Sequence, residues 1–506
     1  MWKKQRIIKN VKIEKIWFWW IWISHTEYWK TILISWWVLP NTIVDIKILK
    51  NTKDFIKAQV IKIHKDFLKF KLQTVIEQLI SWKQIIEVNN TKVCKHNYIF
   101  DTDAFNFSNN KIKNSGCGGC KWQILPYEQQ LKLKKQVVED TFSWKQFFSN
   151  SYEWIIWCNK IFNYRNKMEF SFWYNENKEI CLWFHKQWQF SKIVNIKSCL
   201  IAWEKINKIF KYLKKIILNS WLMVYNNIDH SWFFRHLVIR EWFNTWQVLV
   251  NLVVASDYFK KHLNEINKWK KLQETFMQDN FLKENVTTFI ITENNDLADI
   301  VKWKNIKSFP LWGGWYIFER LIIDNYEINF RVSSFSFFQT NTYQAQILFK
   351  LIKDFLNKEK WTILDLYCWT WSIWISLLKM WIWNKLIWIE IVEDAIKDAY
   401  KNAKINWISQ KCKFLVWKSE NIDFDYSSIW TIIVDPPRSW LHKNLIKFLL
   451  KIKSKNNLKL IYVSCNPVTM ARDMENLIDW WYKLKKIKAV DMFPHTHHIE
   501  MVWLLC

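Results

Sequence analysis

The hydrophobic pattern of this chain changes character along its length. Over residues 11–63, short segments such as KTILI and TIVDIKIL alternate apolar with polar residues, and turn-like clusters separate them. Short strands at this spacing predict a small β-barrel. From residue 328 onward, apolar strands alternate regularly with amphipathic helices, which predicts a doubly wound α/β domain.

The region between these two patterns is mixed. A polar stretch over residues 65–95 leads to the cysteine-bearing segment GCGGCKWQ and then to a helical segment, PYEQQLKLKKQVVEDTF. Strands and helices alternate from there to residue 327. We therefore predict three domains: a β-barrel of the kind used by oligonucleotide-binding folds over residues 1–65, an α+β central domain over residues 66–327, and a Rossmann-like α/β domain over residues 328–506.

The turn within residues 364–380, LDLYCWTWSIWISLLKM, does not fit its surroundings. An apolar strand that ends in an acid, followed by a short turn and a helix, is typical of a nucleotide-binding βα unit, whose turn carries glycines. Trp369, Trp371 and Trp374 stand at those positions. Glycine lets the backbone approach a ligand and turn helix N-terminal amides toward it, whereas indole rings would fill the pocket.

Composition offers an explanation. The chain of 506 residues has 39 tryptophans and only 5 glycines. Together they make up about 9% of the chain, close to the usual glycine content of about 7%. Our hypothesis is that UGA codons, read as glycine in the source cell, stand here as tryptophan. The alternative is a genuinely tryptophan-rich protein, which must account for turn-like sequences such as WFWWIW and DWWYK. A UGG codon at position 369 would contradict the hypothesis.

Charge and the lack of an apolar segment limit the class of protein. The net charge of +28 favours a polyanionic partner such as nucleic acid, although a lysine-biased, AT-rich genome would give the same excess. The apolar run at residues 16–24 is too short to span a bilayer and lacks a cleavage-site pattern. We predict a cytoplasmic protein whose ten cysteines are metal ligands, nucleophiles or core residues rather than disulfides.

Chemically capable side chains follow the predicted strands of the C-terminal domain. Glu390 ends the strand after the tryptophan-bearing turn, where an acid can accept both hydroxyl groups of a ribose; this suits NAD and S-adenosylmethionine equally. Asp435 lies in IIVDPPRSW, Cys465 in LIYVSCNPVTMARD and Glu500 in the last strand. Because carboxyl ends of strands in an open α/β sheet converge on one crevice, we expect these groups to share a pocket.

A second group of candidate residues is a set of cysteines. Cys117 and Cys120 have the spacing of two ligands to one metal centre. Cys94 upstream and Cys199 downstream would complete four ligands. Zinc and an iron–sulfur cluster both accept four cysteines, and spacing does not separate them. The histidines near the C-terminus are interpreted as loop and packing residues rather than ligands: His495, His497 and His498.

With tryptophan read as glycine in the turns, the chain resembles the bacterial RNA uracil-5-methyltransferase family. The motifs that carry the resemblance are GCGGCKWQ, FNYRNKMEFSF, FFQTN, DLYCGTGS, DPPRSG, SCNP and HIEMV, in this order. The N-terminal barrel is similar to a TRAM domain. The resemblance covers most of the chain and implies S-adenosylmethionine-dependent methylation of RNA uracil at C5.

The resemblance implies roles for the residues that match family motifs. Uracil C5 becomes nucleophilic only after a thiolate adds to C6. Cys465 matches the family's nucleophile, and Glu500 matches the general base that removes the C5 proton. Asp435 matches a base-binding or cofactor-side carboxylate. Contacts to S-adenosylmethionine are implied for Gln339, Tyr367, Ser372 and Glu390; some relatives carry Asn where this chain has Ser372.

The resemblance also implies a [4Fe–4S] cluster, rather than zinc, on Cys94, Cys117, Cys120 and Cys199, although the first two are farther apart here than in the family. A TRAM domain together with a cluster is typical of the members that modify large-subunit rRNA. We therefore expect 23S rRNA as the partner, with no membrane and no obligate protein partner. The alternatives are a tRNA uracil-5-methyltransferase, cytosine-C5 or amino methylation, which SCNP with a carboxylate base disfavours, and a non-catalytic RNA-binding protein if the tryptophans are literal.

Overall fold

The described part of the chain forms two compact units. The computed structural model describes residues 7–17, 21–25, 31–35, 43–52, 55–65, 85–88, 91–94, 105–106, 111–112, 117–123, 125–142, 155–174, 180–186, 189–194, 197–226, 230–297, 306–356, 362–366, 371–380, 385–416, 428–436, 441–453, 458–478 and 482–506. The first unit comprises Met1–Trp144, His185–Val194 and Pro494–His497. The second comprises Lys145–Phe184, Asn195–Phe493 and His498–Cys506.

The first unit consists mainly of short strands. Its elements up to residue 144 are β1 (Ile7–Lys12), β2 (Lys15–Trp17), β3 (Ile21–His25), β4 (Thr31–Ser35), β5 (Ile43–Asn51), β6 (Phe55–Lys65), β7 (Ile85–Val88), β8 (Thr91–Cys94), β9 (Phe105–Asn106), β10 (Lys111–Ile112) and helix α1 (Tyr127–Phe142). The first six strands form one sheet in the order β1-β5-β6-β4-β3-β2. Val44, Ile46 and Ala58 are completely buried in it. The β-rich N-terminal region predicted from the alternating pattern is confirmed, whereas its assignment as a TRAM domain stays a prediction.

Helix α1 holds the C-terminal segment of the same unit. Gln130, which is fully buried, accepts the backbone N–H of His495 at 2.8 Å, and its Nε2 lies 3.1 Å from His495 Nδ1. The carbonyl of His495 accepts the N–H of Trp122 at 2.9 Å. His495 therefore has a packing role in a turn, which agrees with the interpretation of the C-terminal histidines.

The second unit begins with a mixed sheet. Its elements are β11 (Lys167–Tyr174), β12 (Ile180–Lys186), helix α2 (Glu204–Leu218), β14 (Phe234–Glu241), β15 (Val248–Val254), α3 (Ile266–Gln278), α4 (Asn280–Asn285), β16 (Thr288–Glu293) and β17 (Lys307–Trp312); β13 (Gln189–Val194) belongs to the first unit. Neighbouring strands follow the order β12-β11-β14-β15-β16-β17. Every residue of β14 and β15 is buried, as expected of strands covered on both faces.

The C-terminal part of the second unit holds the α/β sheet. Its elements are β18 (Tyr316–Ile323), β19 (Tyr326–Ser333), α5 (Thr342–Leu356), β20 (Thr362–Leu366), α6 (Trp371–Met380), β21 (Lys385–Glu390), α7 (Glu393–Ile405), β22 (Cys412–Val416), β23 (Ile429–Val434), α8 (Lys443–Lys453), β24 (Lys459–Ser464), α9 (Pro467–Ile478), β25 (Leu484–Val490) and β26 (Glu500–Leu505). The strand order is β22-β21-β20-β23-β24-β26-β25. The first five of these strands are parallel and β26 is antiparallel to β24, so the predicted α/β architecture is confirmed.

The boundary predicted at residue 327 falls inside a hairpin. Strands β18 and β19 pair along their whole length, from Tyr316 opposite Ser333 to Ile323 opposite Tyr326. Their buried side chains alternate with exposed ones, and those of Ile317 and Phe330 share one core with α5 and α6. The hairpin therefore packs with the α/β sheet, and the three predicted domain ranges remain predictions.

Several tryptophans occupy backbone conformations that suit glycine. Of ten non-glycine residues with positive φ in the described ranges, four are tryptophans, namely Trp221, Trp232, Trp246 and Trp407. Asn, Asp and His tolerate this conformation, whereas bulky residues rarely adopt it. At the end of α7, the N–H of Trp407 reaches Lys404 O and that of Ile408 reaches Ala403 O. This is a Schellman motif with tryptophan at the position usually held by glycine, and it supports the UGA hypothesis.

Candidate active site

The predicted nucleophile and base adjoin the end of one pair of strands. In the antiparallel pair of β24 and β26, Ser464 lies opposite Met501. Cys465 directly follows Ser464 at the end of β24, and Glu500 directly precedes Met501 at the start of β26. Because antiparallel strands run in opposite directions, both residues lie at the same edge of the sheet.

Cys465 occupies the connection between a buried strand and a helix. Asn466, the next residue, accepts the N–H groups of Val468 and Thr469 on its Oδ1 at 3.1 and 3.3 Å. It therefore caps the first turn of α9. Ser464 fixes the other side of the connection, because its Oγ accepts the N–H of Asn466 at 3.1 Å. The half-buried Cys465 is held next to a helix N-terminus, where the helix dipole stabilises a thiolate.

Glu500 is buried at the start of β26. It is 7% exposed, and its neighbours Ile499 and Met501 are buried. On the other side of β26 it is paired with Val490 of β25. At the sheet edge that also carries Cys465, Glu500 is suitably placed to accept a proton from a bound ligand.

Two more acids belong to the same edge of the sheet. Asp435 directly follows β23, and Glu390 ends β21; in the strand order β21-β20-β23-β24-β26 both lie at the edge that carries Cys465. Glu390 is 4% exposed, and its Oε1 accepts the N–H groups of Ile391 and Val392 at 2.8 and 3.0 Å. These bonds fix the carboxylate, and its Oε2 accepts no hydrogen bond from the described residues.

The turn after β20 is described only in part. Tyr367, Trp369 and the rest of residues 367–370 lie outside the described residues, so the predicted contact of Tyr367 stays a prediction. Ser372 is buried in the first turn of α6, and its carbonyl accepts the hydroxyl of Ser376 at 2.7 Å. The strand order reverses between β20 and β23, and this point in an open α/β sheet is where ligands bind.

A buried amide supports the segment that carries Gln339. Asn166 Nδ2 donates to Gln339 O at 3.1 Å and to Thr342 Oγ1 at 2.9 Å. The N–H of Asn166 donates to Thr340 O at 2.8 Å, and its carbonyl accepts the N–H of Glu241 at the same distance. The side chains of Asn166 and Gln339 are 1% and 7% exposed. The FNYRNKMEFSF motif thus fixes the FFQTN motif through hydrogen bonds.

The same segment is bonded to the chain that leads toward Glu500. Asn341 Nδ2 donates to Met492 O at 3.0 Å. Gln344 Nε2 donates to Asp491 O at 2.9 Å and to Trp157 O at 3.2 Å. The sequence motifs had been recognised, but Asn166, Asn341 and Gln344 had not been assigned a role. The sequence carried no clear signal for these amides, since Asn166 stands between Arg165 and Lys167 and Asn341 between two threonines.

A buried acid lies behind Thr342. Glu319 has no exposed surface, and burial raises the pKa of Glu319 to about 8, while hydrogen bonds from Arg320 N–H and the Thr342 hydroxyl act in the opposite direction. Burial likewise raises the pKa of Glu241 to about 7, against the charges of Lys205 and Lys160.

We expect the Glu319→Gln variant to lose part of the protein's pH dependence of stability. Between about pH 5 and pH 8 the unfolded chain has released the Glu319 proton while the folded protein retains it. Raising the pH through this window therefore lowers the free energy of unfolding, at most by about 1.4 kcal/mol per pH unit for one proton. Glutamine removes this loss. Urea unfolding at pH 5, 6.5 and 8 measures it.

The matched control for this prediction is Glu274→Gln, since Glu274 is exposed on α3. It should follow the pH dependence of the unaltered protein. An unchanged slope in Glu319→Gln would show that the buried carboxyl does not retain its proton.

The family model for tRNA (uracil-5-)-methyltransferase matches residues 126–506. The chain belongs to this family. Among its relatives, an uncharacterized RNA methyltransferase of Clostridium acetobutylicum is 34% identical over 394 residues, which cover 77% of this chain and 82% of that protein. One from Bacteroides thetaiotaomicron is 28% identical over 488 residues, covering 92% and 95%.

One solved structure gives the fold of the family across the whole chain. The tRNA (uracil-54, C5)-methyltransferase of Pyrococcus abyssi, solved with S-adenosyl-L-homocysteine, has a TM-score of 0.64 at 24% identity. The match covers 99% of this chain and 100% of that chain. At this identity, the likeness establishes the fold. No helix in the part of the chain that the structure describes is long and apolar enough to cross a bilayer.

The four cysteines implied as cluster ligands are distributed over both units. Cys94, Cys117 and Cys120 belong to the first unit and Cys199 to the second. Gln123 Oε1 accepts the N–H of Cys94 at 3.0 Å, so Cys94 lies beside the turn that follows Cys120. Among the described residues, however, no group of three or more His, Cys, Asp or Glu side chains is arranged to hold a metal. The described residues therefore give no geometry for a cluster.

Cys199 is held by its backbone. Asn207 Oδ1 accepts its N–H at 2.7 Å and Asn207 Nδ2 donates to its carbonyl at 2.9 Å. Burial raises the pKa of the Cys199 thiol, against hydrogen bonds from the backbone of Ala202 and Ile201 and the charge of Arg165.

Proposed function

We propose that this protein transfers a methyl group from S-adenosylmethionine to C5 of a uridine in RNA. The observation that carries the proposal is the pairing of Ser464 with Met501, since Cys465 and Glu500 directly adjoin these two residues at the carboxyl edge of the sheet. Membership of the family supports the reaction class. A core thiol alone would serve packing, whereas a thiol at a helix N-terminus, on the same sheet edge as a buried carboxylate, suits covalent catalysis.

The reaction uses the side chain of Cys465 first and that of Glu500 afterwards. Cys465 adds as thiolate to C6 of uracil, which makes C5 a nucleophile. S-adenosylmethionine, when bound, supplies the methyl group as a sulfonium, and S-adenosylhomocysteine leaves. C5 then carries both the methyl group and its original hydrogen. Glu500 removes that hydrogen as a proton, the C5–C6 double bond re-forms, and the Cys465 thiolate is expelled. The products are 5-methyluridine and free enzyme.

The residues at the sheet edge fit the methyl donor. Glu390 has one carboxylate oxygen fixed by backbone N–H groups and a second that accepts nothing from the described residues, which suits the two hydroxyl groups of a ribose. Ser372 lies in the first helical turn beyond the nucleotide-binding loop. We assign cofactor contacts to Gln339, Tyr367, Ser372 and Glu390. Asp435 is assigned to the base or to the cofactor side.

The Glu500→Gln variant tests the proposed order of steps. It should carry out addition and methyl transfer but not proton removal, so a covalent protein–RNA adduct accumulates instead of 5-methyluridine. Denaturing gel electrophoresis with radiolabelled transcripts of 23S rRNA fragments and of tRNA detects the adduct. Glu500→Asp, which retains a carboxylate, should still turn over at a reduced rate. If Glu500→Gln instead releases 5-methyluridine at the normal rate, another group is the base.

We propose 23S rRNA as the substrate, with tRNA as the alternative. The β-rich N-terminal unit supports an rRNA enzyme only as far as it resembles a TRAM domain. A tRNA substrate is favoured by the activity of the Pyrococcus abyssi protein that shares the fold. A duplex buries C5 and C6 in the stack, so in either case the target is a loop uridine or one that the enzyme flips out. Mass spectrometry of both RNAs after incubation identifies the substrate.

A [4Fe–4S] cluster on Cys94, Cys117, Cys120 and Cys199 is retained as a proposal that rests on the donor set. We expect anaerobically purified protein to contain about four iron atoms and four sulfides per chain. Iron and acid-labile sulfide analysis measures this, with Cys412→Ala as the control variant, since the Cys412 thiol is not part of the set. Stoichiometric zinc without iron would show that the four thiols form a zinc site.

A further inference from the structure

The second unit contains a pocket that the proposed reaction does not use. It has a volume of about 310 Å³ and is formed by residues 159–160, the turn of the β18–β19 hairpin and α5. Tyr343, Ile347 and Lys350 line it from α5, with the spacing of residues that share a helix face. Its volume is near the lower end for sites that bind small molecules, about 300 Å³.

Lys160 forms one cationic wall of this pocket. Its ammonium donates to the Tyr343 hydroxyl at 3.1 Å and lies 4.7 and 5.4 Å from the ring centroids of Tyr343 and Phe243. Burial lowers the pKa of Lys160, while the charge of Glu241 raises it. Among the described residues the hydroxyl is its one hydrogen-bond acceptor. The rings thus hold a partly desolvated cation with N–H donors left for a ligand.

Lys350 is a second cation in the lining of the pocket. Lys350 and Lys353 both form ion pairs with Asp324 at the hairpin turn. One carboxylate therefore pairs with two lysines. The charged residues of the lining are Lys160, Lys350 and Asp324, so the pocket keeps a net positive charge. Such a lining attracts an anion without requiring that the ion pair break.

The rest of the lining combines isoleucines with amide side chains. Ile322 and Ile347 are among its apolar residues, and Ile322 remains 50% exposed on its strand. A lining with both lysines and isoleucines suits a ligand that has an anionic group and a flat or apolar group a short distance apart. One nucleotide of an RNA chain has this composition, with the phosphate on the lysines and the base or ribose on the isoleucines.

We propose that this pocket binds one nucleotide of the RNA substrate outside the target uridine, with its phosphate between Lys160 and Lys350. The inference rests on the proposed function, since it takes RNA as the substrate. The pocket is also joined to the reaction site by the chain. Tyr343 and Gln339 lie on the same short segment, and the segment of Lys160 leads to Asn166, which holds Gln339 O. An RNA strand bound in this pocket therefore contacts the same segment of the chain that carries Gln339.

The test is the salt dependence of RNA binding by the Lys160→Gln, Lys350→Gln and double variants. Fluorescence anisotropy with a labelled ten-nucleotide oligouridylate, without S-adenosylmethionine, gives the affinity between 50 and 500 mM NaCl. Loss of one phosphate contact lowers the slope of log affinity against log salt by about 0.7, or about fivefold in affinity per decade of salt. We expect this loss in each single variant, and a larger one in the double variant.

Lys397→Gln is the matched control, because Lys397 is exposed on α7 and paired with Glu393; its slope should equal that of the unaltered protein. Slopes unchanged in both pocket variants would overturn the proposal. A second result would also overturn it: the variants bind the oligonucleotide with normal affinity, but free uridine 5′-monophosphate no longer competes for binding. The pocket would then be a site for a small anion rather than for RNA. Because binding is measured without turnover, absence of 5-methyluridine in a separate assay would overturn the proposed function alone.

Discussion

Replacing Cys465 by alanine is expected to abolish uridine methylation, with a fall in turnover of about 10⁴-fold or more, as for other enzymes that lose a covalent nucleophile. Without a thiolate on C6, C5 of uracil does not attack a sulfonium methyl group. The variant should still bind S-adenosylhomocysteine and RNA, because the substitution leaves in place the hydrogen bond between Ser464 and Asn466 that fixes the connection. Transfer of a tritiated methyl group to RNA and calorimetric binding of S-adenosylhomocysteine measure the two properties.

Cys412→Ala provides the control for this prediction. Burial raises the pKa of Cys412 to about 12, and the charge of Lys411 opposes this only in part; its thiol donates to Ile408 O at 3.4 Å. Such a thiol is neutral and structural, so its loss should leave methyl transfer intact. Full turnover by Cys465→Ala, or equal losses in both cysteine variants, would remove the covalent mechanism.

The sequence was sufficient for the parts of the fold that depend on local pattern. Apolar strands alternating with amphipathic helices specified the α/β sheet, because strands buried on both faces need continuous apolar residues. The positions of Glu390, Asp435 and Cys465 after strands then followed from the general geometry of open sheets. Glu500 was assigned from its motif, and the pairing of β26 with β24 puts the start of β26 at the sheet edge where β24 ends.

Features that depend on contacts between distant parts of the chain could not be predicted from the sequence. Asn166 and Gln339 are far apart in the chain, and nothing local indicates that one amide holds the carbonyl of the other. The boundary predicted at residue 327 relied on a change of pattern, but the pairing of Tyr316 with Ser333 crosses it. The cysteine set was inferred from spacing and resemblance, and its members fall in two units of the structure.

The second large effect concerns the tryptophans of the cofactor turn. We expect protein with glycine at positions 369 and 371 to bind S-adenosylmethionine, and protein with the sequence as written to bind it at least about 100-fold more weakly. The expectation rests on size, because an indole is too bulky for a turn in which a ligand must approach the backbone and the helix N-terminal amides. Isothermal titration calorimetry with S-adenosylhomocysteine measures the difference.

Trp407→Gly separates this effect from general relief of strain. Trp407 is 83% exposed and has a φ of 61° at the end of α7, where a left-handed conformation costs about 1–2 kcal/mol for a residue with a side chain. Glycine there should raise the free energy of unfolding by about that amount and leave cofactor affinity unchanged, whereas Trp407→Ala keeps most of the strain. If glycines at 369 and 371 improve binding no more than Trp407→Gly does, the turn is not filled by indoles and literal tryptophans are compatible with the site. A large difference requires glycine in the turn itself, as a UGA codon read as glycine would provide.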